Sequence, residues 1–243
     1  MILQVLSAWG LLIMANDKPG GAIRTGVQHH FVHGLRFDTM WSYQVQSLDG
    51  GKNWTRLSLE AGADPDGMTL DPEGAMWCVR CCASVLAQRP VPLKRLHKML
   101  YGRCDVAHVA AALAALLPGF DVHMENGLNR ALLQDTSQLV QAGGSMLLRL
   151  ERAGAKHQQP PSWMWVVGVE LRNSERGVSG MFGIDQPTQT SALLLIGRDL
   201  LPSWASGYGA KAICDEDGTW SVRGVDAQTW QGVVSCAVRI CPR

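Results

Sequence analysis

Between residues 139 and 148 the chain reads Leu139-Val140-Gln141-Ala142-Gly143-Gly144-Ser145-Met146-Leu147-Leu148. Apolar residues recur at helical spacing from residue 128 up to the two glycines, and an apolar run typical of a buried strand follows them. Glycine ends helices because it adopts the left-handed backbone conformation that a helix C-terminus often requires. The stretch therefore predicts a helix over residues 128–142, a stop at the two glycines and a strand from Ser145 onward.

The change from helix to strand at the two glycines extends to the segments before and after them. Upstream, three more helices are predicted, over residues 73–88, 93–101 and 105–117, the last capped by Asp105. Downstream, strands are predicted over residues 145–150, 163–171, 181–185 and 191–196, with a hairpin formed by residues 211–214 and 219–222. Helices followed by strands predict an α+β fold in which a mostly antiparallel sheet packs against the helical block.

The N-terminal part of the chain has a different pattern. Residues 37–59 alternate around the turn Ser47-Leu48-Asp49-Gly50-Gly51-Lys52-Asn53-Trp54, which predicts a β-hairpin. A stretch rich in Pro, Gly and Asp, residues 63–67, separates this hairpin from the helices. We therefore expect a β-rich N-terminal extension over residues 1–66 and a main domain over residues 67–243.

Composition restricts the classes of partner. Lys plus Arg (22) nearly cancel Asp plus Glu (21), so no broad electrostatic field favours nucleic acid or acidic lipid, and neither partner is expected. The longest apolar run, residues 1–15, is interrupted by polar residues and is shorter than the roughly 20 residues that a membrane helix needs. It also lacks the pattern of a cleavable signal peptide. A cytoplasmic location and delivery by a route without such a signal both stay open.

The chain contains seven cysteines, at positions 78, 81, 82, 104, 214, 236 and 241. Their odd number predicts at least one free thiol, with one disulfide among the last three left open. Zinc held by the first four cysteines, or a metal held by His29, His30, His33 and Asp38, would need spacings that match no common site. We expect no metal and, because the sequence contains no phosphate loop or dinucleotide fingerprint, no cofactor.

The strongest chemical signal is the segment Met76-Trp77-Cys78-Val79-Arg80-Cys81-Cys82-Ala83-Ser84. It places Cys78 in the first turn of a predicted helix. Free N–H groups and the helix dipole at that end stabilise a thiolate, so a cysteine there can act as a nucleophile. Burial of a small apolar thiol is the structural alternative, and it is the ordinary explanation for at least two of the three cysteines on this helix.

Cys78 through Ala83 resembles the nucleophile helix of papain-like cysteine peptidases, in particular the bacterial branch similar to bacteriocin-leader-processing peptidases and plant-directed effector proteases. Three later segments resemble that family in the same order. Residues 139–148 are similar to its helix, double glycine and first core strand, residues 163–169 to the strand after its catalytic histidine, and residues 183–187 to the segment with its orienting carboxylate. The resemblance implies a papain-like cysteine peptidase-type domain over residues 67–243, with Cys78 as nucleophile and Asp185 as the residue that orients the base.

The sequence departs from this family at the general base. Ser162 stands where the family has its catalytic histidine, and a serine does not accept a proton at neutral pH. His157 lies five residues upstream and becomes the candidate base if its loop folds back toward Cys78, and a solvent-exposed loop histidine is the alternative. Trp77, Ser162 and Trp163 flank the candidate catalytic residues and are the candidates for lining the substrate groove, with packing in the core as the alternative for the tryptophans.

Two functions follow from these observations. The first is a papain-like cysteine hydrolase, a peptidase or an effector toxin, in which Cys78 attacks an amide carbonyl. The second is a catalytically inactive pseudoenzyme that binds a peptide or a partner protein in the groove between the helices and the sheet. The helix-start cysteine favours the hydrolase, and the missing histidine favours the pseudoenzyme. In both cases the expected partner is a peptide or a protein.

Overall fold

A computed structural model describes residues 27–32, 35–37, 43–45, 55–57, 71, 73–89, 91–127, 130–152, 161–173, 188–198, 200, 208–214, 219–224 and 229–243. The helices in these ranges are α1 Ala75–Leu86, α2 Leu93–Leu100, α3 Val106–Leu116 and α4 Arg130–Gln141. The strands are β1 Val27–Phe31, β2 Leu35–Phe37, β3 Tyr43–Val45, β4 Thr55–Leu57, β5 Phe120–Glu125, β6 Ser145–Arg152, β7 Ser162–Asn173, β8 Thr188–Ile196, β9 Ala210–Cys214, β10 Trp220–Gly224 and β11 Thr229–Pro242.

The four predicted helices are present, and local sequence explains where they stop. At the end of α4, Gly143 has a φ of +87°, and the N–H of Gly144 donates to the Leu139 carbonyl at 2.9 Å. This arrangement satisfies a carbonyl that the last helical turn leaves free, as glycine commonly does at a helix C-terminus. The predicted stop at the two glycines, and the strand that follows it directly, are confirmed.

The strands form two antiparallel sheets. In the larger sheet the order is β1-β7-β6-β11-β10-β9-β8, and β5 pairs with β11. Because β8 also pairs with β7, six strands, β6 to β11, close into an antiparallel barrel, to which β1 and β5 are added. The smaller sheet contains β2, β3 and β4, and its β3–β4 pair matches the strands of the predicted N-terminal hairpin.

The two faces of β6 and β7 have different roles. Met146 and Leu148 of β6 pair with Val166 and Met164 of β7, and all four side chains are buried. The alternate residues of β7 include Trp163, whose indole N–H donates to the Cys104 carbonyl between α2 and α3 at 2.8 Å. Successive side chains of a strand point to opposite faces, so one face supports the helices while the other fills the barrel. Helix α1 packs on β6 and β7, beside the alternate residues that include Trp163.

The predicted fold class is wrong. A papain-like α+β fold, with a helical block followed by a mostly antiparallel sheet and an N-terminal β-hairpin extension, does not describe this chain. Its described residues contain more strand than helix and form a closed barrel. Strand β5 interrupts the expected helical block, and β1, from the expected extension, pairs with β7 in the main sheet. Closure depends on pairings between strands that are distant in sequence, which local periodicity does not report.

The last strand, β11, was also missed. Its first residues pair with β10, its last residues with β5, and most of its length with β6 on its other edge. The predicted strand over residues 181–185, the hairpin turn over residues 47–54 and the boundary at residues 63–67 lie outside the described residues. Within the described ranges, no helix combines the length and apolar composition that crossing a bilayer requires.

Candidate functional site

The candidate site lies where the N-terminal end of α1 meets the start of β7. Gly74 precedes the helix with a left-handed φ of +73°. Asp71, three residues earlier, is buried, and its two carboxylate oxygens accept the N–H groups of Met76 at 3.0 Å and Trp77 at 2.9 Å. A carboxylate in this position satisfies helix N–H groups that lack a partner within the helix and stabilises the positive end of the dipole.

Asp71 also accepts a hydrogen bond from a residue outside α1. The guanidinium of Arg198, which follows β8, donates to the Asp71 carbonyl. Burial raises the pKa of the Asp71 carboxyl, although the helix N–H groups and the charge of Arg198 act in the opposite direction. The helix end that was expected to stabilise a thiolate therefore already carries a carboxyl group.

Cys78 is the fourth residue of α1 and its side chain is 0% exposed. The Sγ atom donates to the main-chain carbonyl of Trp163 at 3.2 Å. Its own N–H donates to the Gly74 carbonyl at 3.0 Å within the helix, so it is not free to bind an oxyanion. The structure thus places Cys78 against the start of β7, with a carbonyl rather than an imidazole as its hydrogen-bond partner.

The electrostatics of this position favour the neutral thiol. Burial raises the pKa of Cys78 well above its ordinary value, and the neighbouring Cys81 and Asp71 raise it further. Arg198 acts in the opposite direction but does not reverse the shift. Because the thiolate is the nucleophile in cysteine chemistry, a buried, protonated Cys78 lacks the form that catalysis requires.

The other predicted site residues fall into two groups. Trp77 and Trp163, expected to line a substrate groove, are 8% and 1% exposed and pack in the core, while Ser162 at the start of β7 is half-buried. Trp163 is fixed further because its main-chain N–H donates to the Glu73 carbonyl at 2.8 Å. His157 and Asp185, the predicted base and orienting residue, lie outside the described residues.

An ion pair beside the site was missed in the sequence. Arg149 of β6 donates two hydrogen bonds to the carboxylate of Glu73, at 2.9 and 3.0 Å. These hydrogen bonds raise the pKa of the arginine. Arg149 lies opposite Trp163 in the β6–β7 pairing, so the ion pair ties the residues before α1 to the same part of the barrel. Local sequence does not indicate that a glutamate just before a helix and an arginine in a distant strand form an ion pair.

A second polar cluster lies on β7, β8 and β9. Glu170 is 1% exposed and accepts hydrogen bonds from Lys211 and, at 3.1 Å, from Ser191. Burial lowers the pKa of Lys211, but hydrogen bonds to Glu170 and Tyr208 outweigh it and leave the pKa raised. Each charge in this cluster has a partner, which is typical of a structural ion pair.

The seven cysteines are all free thiols in this structure. No disulfide therefore joins Cys214, Cys236 and Cys241, and that alternative is not observed. In the parts of the chain that the structure describes, no group of three or more His, Cys, Asp or Glu side chains is arranged to hold a metal ion. The zinc alternative for Cys78, Cys81, Cys82 and Cys104 thus gains no geometric support.

The surface around α2 differs from the rest of the molecule in charge. Five basic side chains are exposed on it, Arg89, Lys94, Arg95, Lys98 and Arg103, and we call them the basic face. A groove of about 240 Å³ opens at its edge, between the end of α1 and helices α2 and α3.

No protein-family model matches the chain, and no curated protein matches its sequence.

Proposed function

We propose that this chain is a catalytically inactive protein that binds a peptide or a partner protein. The observation that carries the proposal is the state of Cys78, whose fully buried Sγ donates to the Trp163 carbonyl. A cysteine nucleophile has to lose this proton to a base and reach a substrate carbonyl. In the observed state the thiol does neither.

Two further features support an inactive protein. Ser162 occupies the position at which the resemblance to papain-like peptidases expects the general base. The N–H groups at the start of α1 are used by the Asp71 carboxylate and by the helix itself, so they do not offer a site for a developing oxyanion. We propose that the resemblance of residues 78–83 to a nucleophile helix reflects descent from an active hydrolase.

The basic face supports the binding half of the proposal. Its cations are exposed and concentrated on one short helix and its flanks, although the chain as a whole is close to neutral. Exposed charge of one sign on an otherwise balanced surface is a means of selecting partners by electrostatic complementarity. The groove beside it adds apolar surface in a concave setting, as peptide-binding sites commonly do.

A cysteine hydrolase, either a peptidase or an effector toxin, is the second candidate. One observation favours it, namely the position of Cys78 in the first turn of α1 and in contact with the residue after Ser162. This function requires an opening that exposes the thiol and a base to accept its proton, for which His157 is the candidate and Asp185 its orienting residue. We rank it second because burial and protonation of Cys78 both oppose it.

One peptide library, measured in two ways, tests the proposal. The purified chain is incubated with a library of short peptides, and mass spectrometry records which peptides are cleaved and which are retained by the protein. We expect retention without cleavage in the native chain and in Cys78→Ala. Cleavage that is lost in Cys78→Ala would replace the proposal with the hydrolase, and neither retention nor cleavage would argue against a peptide-binding protein.

The variant Ser162→His tests the inactive state more strictly. It restores an imidazole at the position that the resemblance assigns to the base. We still expect no cleavage, because the added base leaves Cys78 buried. If Ser162→His gains cleavage that requires Cys78, the thiol is reachable and only the base was missing, which would support the hydrolase ancestry directly.

A further inference from the structure

One segment of the chain has an excess of positive charge. Between Glu73 and Asp105 the sequence contains no acidic residue and six basic ones, Arg80, Arg89, Lys94, Arg95, Lys98 and Arg103. The segment therefore has a formal charge of +6, and since the whole chain carries +1, the remaining residues together carry −5. The near-neutral total hides a local excess of positive charge around α2.

The groove at the edge of the basic face is built from the same segment. The exposed Pro92 provides its apolar surface above the buried Val91 and Leu116, while Arg89 and Arg95 provide its charge. Three hydrogen bonds hold the backbone that shapes it, from the Val91 N–H to the buried Ser84 hydroxyl, from Arg80 to the Val91 carbonyl, and from Arg95 to the Ala115 carbonyl. A groove held in this way does not have to be ordered when a ligand arrives.

Among the described residues, the cations of the basic face have no acidic partner. In the part of the chain that the structure describes, no carboxylate lies within 4.0 Å of the side-chain nitrogens of Arg89, Lys94, Arg95, Lys98 or Arg103. Three other arginines in the described part of the chain do pair with carboxylates, in Arg149–Glu73, Arg239–Glu125 and Arg243–Asp121. The cations of this face are therefore available to carboxylates that another molecule supplies.

We propose that the groove binds a short acidic segment of a partner protein, with an apolar side chain between Arg89 and Arg95 and carboxylates on both arginines. This inference rests on the proposed binding function and names its partner class. Guanidinium groups pair with carboxylates through two parallel hydrogen bonds, which gives direction as well as charge. Lys98 and the 61% exposed Tyr101 continue the surface along α2 for flanking residues of the partner.

The size and charge of the site favour a short peptide over a long polyanion. Helix α2 has 8 residues and is about 12 Å long, which matches a segment of only a few residues. A nucleic acid duplex or an anionic bilayer extends well beyond this length. An acidic peptide stays within the positive region and also uses the apolar floor, which phosphate backbones do not.

Fluorescence anisotropy with four labelled peptides tests the inference on the full chain. The probes are Glu-Glu-Leu-Glu-Glu, Glu-Glu-Gly-Glu-Glu, Lys-Lys-Leu-Lys-Lys and Gly-Gly-Leu-Gly-Gly, each with blocked ends. We expect the first peptide to bind most tightly, with affinity that falls as salt increases. The double variant Arg89→Gln/Arg95→Gln should weaken it by about tenfold or more, while Arg223→Gln, an exposed arginine on β10, should leave it unchanged.

The outcomes separate this inference from the proposed function. Equal binding of the leucine and glycine acidic peptides, or the same affinity in the double variant, would overturn the docking site even if the library experiment still shows retained peptides. Tighter binding of a DNA duplex or of phosphatidylserine vesicles through Arg89 and Arg95 would also overturn it. Cleavage by Cys78 in the library experiment would overturn the inactive state and leave acidic docking in place. Circular dichroism of each variant confirms that loss of binding is not loss of fold.

Discussion

At the scale of single residues, burial keeps Cys78 neutral, and the group that caps its helix acts in the same direction. Asp71 places a carboxyl group at the N–H groups of Met76 and Trp77, where the positive end of the helix dipole would otherwise favour an anion. A thiolate on Cys78 would lie near this carboxyl, which is one of the neighbours that raise the pKa of the thiol. A helix start can therefore hold a cysteine and still keep it neutral.

The first prediction concerns the order in which the thiols react. With iodoacetamide at neutral pH, the partly exposed Cys214 and Cys241 should be modified before Cys78 and Cys81, by about tenfold or more in rate. Burial raises the pKa of Cys81 to about 12 and removes it from the reagent. Peptide mapping by mass spectrometry gives the order. Labelling of Cys78 ahead of the others is the result that the hydrolase hypothesis predicts, and it would contradict the burial described above.

The second prediction tests the close contact after α4. A Cβ on Gly144 would lie 2.5 Å from the Ile240 carbonyl oxygen and 2.4 Å from the Leu139 Cδ1, so Gly144→Ala forces the backbones apart. We expect it to lower the free energy of unfolding by about 1–3 kcal/mol in urea titrations. Gly119→Ala is the control because a Cβ there meets no atom within 4 Å, and we expect a change within about 0.5 kcal/mol. Equal effects of the two substitutions would show that the contact is not tight.

At the scale of elements, α3 and α1 use carboxylates in different ways. Asp105 is the residue next to α3, and its Oδ1 accepts the His108 N–H at 3.1 Å, as the sequence predicted. Asp71 lies further from α1 and reaches it across Gly74. The Asp105 cap follows from the presence of an aspartate immediately before the helix. The Asp71 cap depends instead on the backbone turn that brings the carboxylate back to the start of α1.

The third prediction tests the Asp105 cap and its dependence on pH. Asp105→Ala should destabilise the protein by about 0.5–2 kcal/mol at pH 7, and Asp105→Asn by less, since asparagine keeps a side-chain acceptor. The hydrogen bond from the His108 N–H lowers the pKa of Asp105 in the folded protein. A lowered pKa stabilises the fold above the unfolded value of about 3.9, and this stabilisation is lost as the pH falls through the folded value.

Urea midpoints of the native chain and Asp105→Ala at pH 7 and at pH 3 check this sign. The difference between the two proteins should be smaller at pH 3 than at pH 7, because pH 3 lies below the unfolded pKa and the stabilisation by the ionised carboxylate is being lost there. A difference that stays constant, or grows, toward low pH would mean that the ionised carboxylate does not contribute to the cap.

At the scale of the whole molecule, closure of the barrel depends on β11. This strand joins β6 to β10 and also carries β5, so it connects three other strands. Val238 lies opposite Met124 of β5 and Leu147 of β6, and its side chain is 0% exposed. The strand is therefore held by burial in the middle of the sheet as well as by its hydrogen bonds.

The fourth prediction compares two isosteric substitutions on this strand. Val238→Thr buries a hydroxyl group in an apolar setting and should destabilise the protein by about 1–3 kcal/mol. Val233→Thr makes the same change at a position that is 54% exposed, so we expect less than about 0.5 kcal/mol. Thermal unfolding followed by circular dichroism measures both. Similar melting temperatures for the two variants would show that β11 is not the buried strand described here.

The elements set by local chemistry could be predicted from the sequence. The four helices, the cap at Asp105, the stop at Gly143-Gly144 and the strand after it each depend on residues within a few positions of one another. The sequence also places Cys78 at the start of a helix, because a helix start has a local signal. It did not reveal β1, β5 or β11, whose existence as strands depends on partners elsewhere in the chain.

The sequence by itself thus determined the helices, several strands and the position of Cys78, whereas only the tertiary structure decided the closed barrel and the state of that thiol. The Cys78 Sγ and the Trp163 carbonyl that accepts its hydrogen bond belong to residues 85 positions apart. Whether a tryptophan such as Trp163 lines a groove or fills the core depends on which elements cover it, and residue type does not decide between them. Burial and pairing are properties of the assembled chain, since each requires surfaces that distant segments supply.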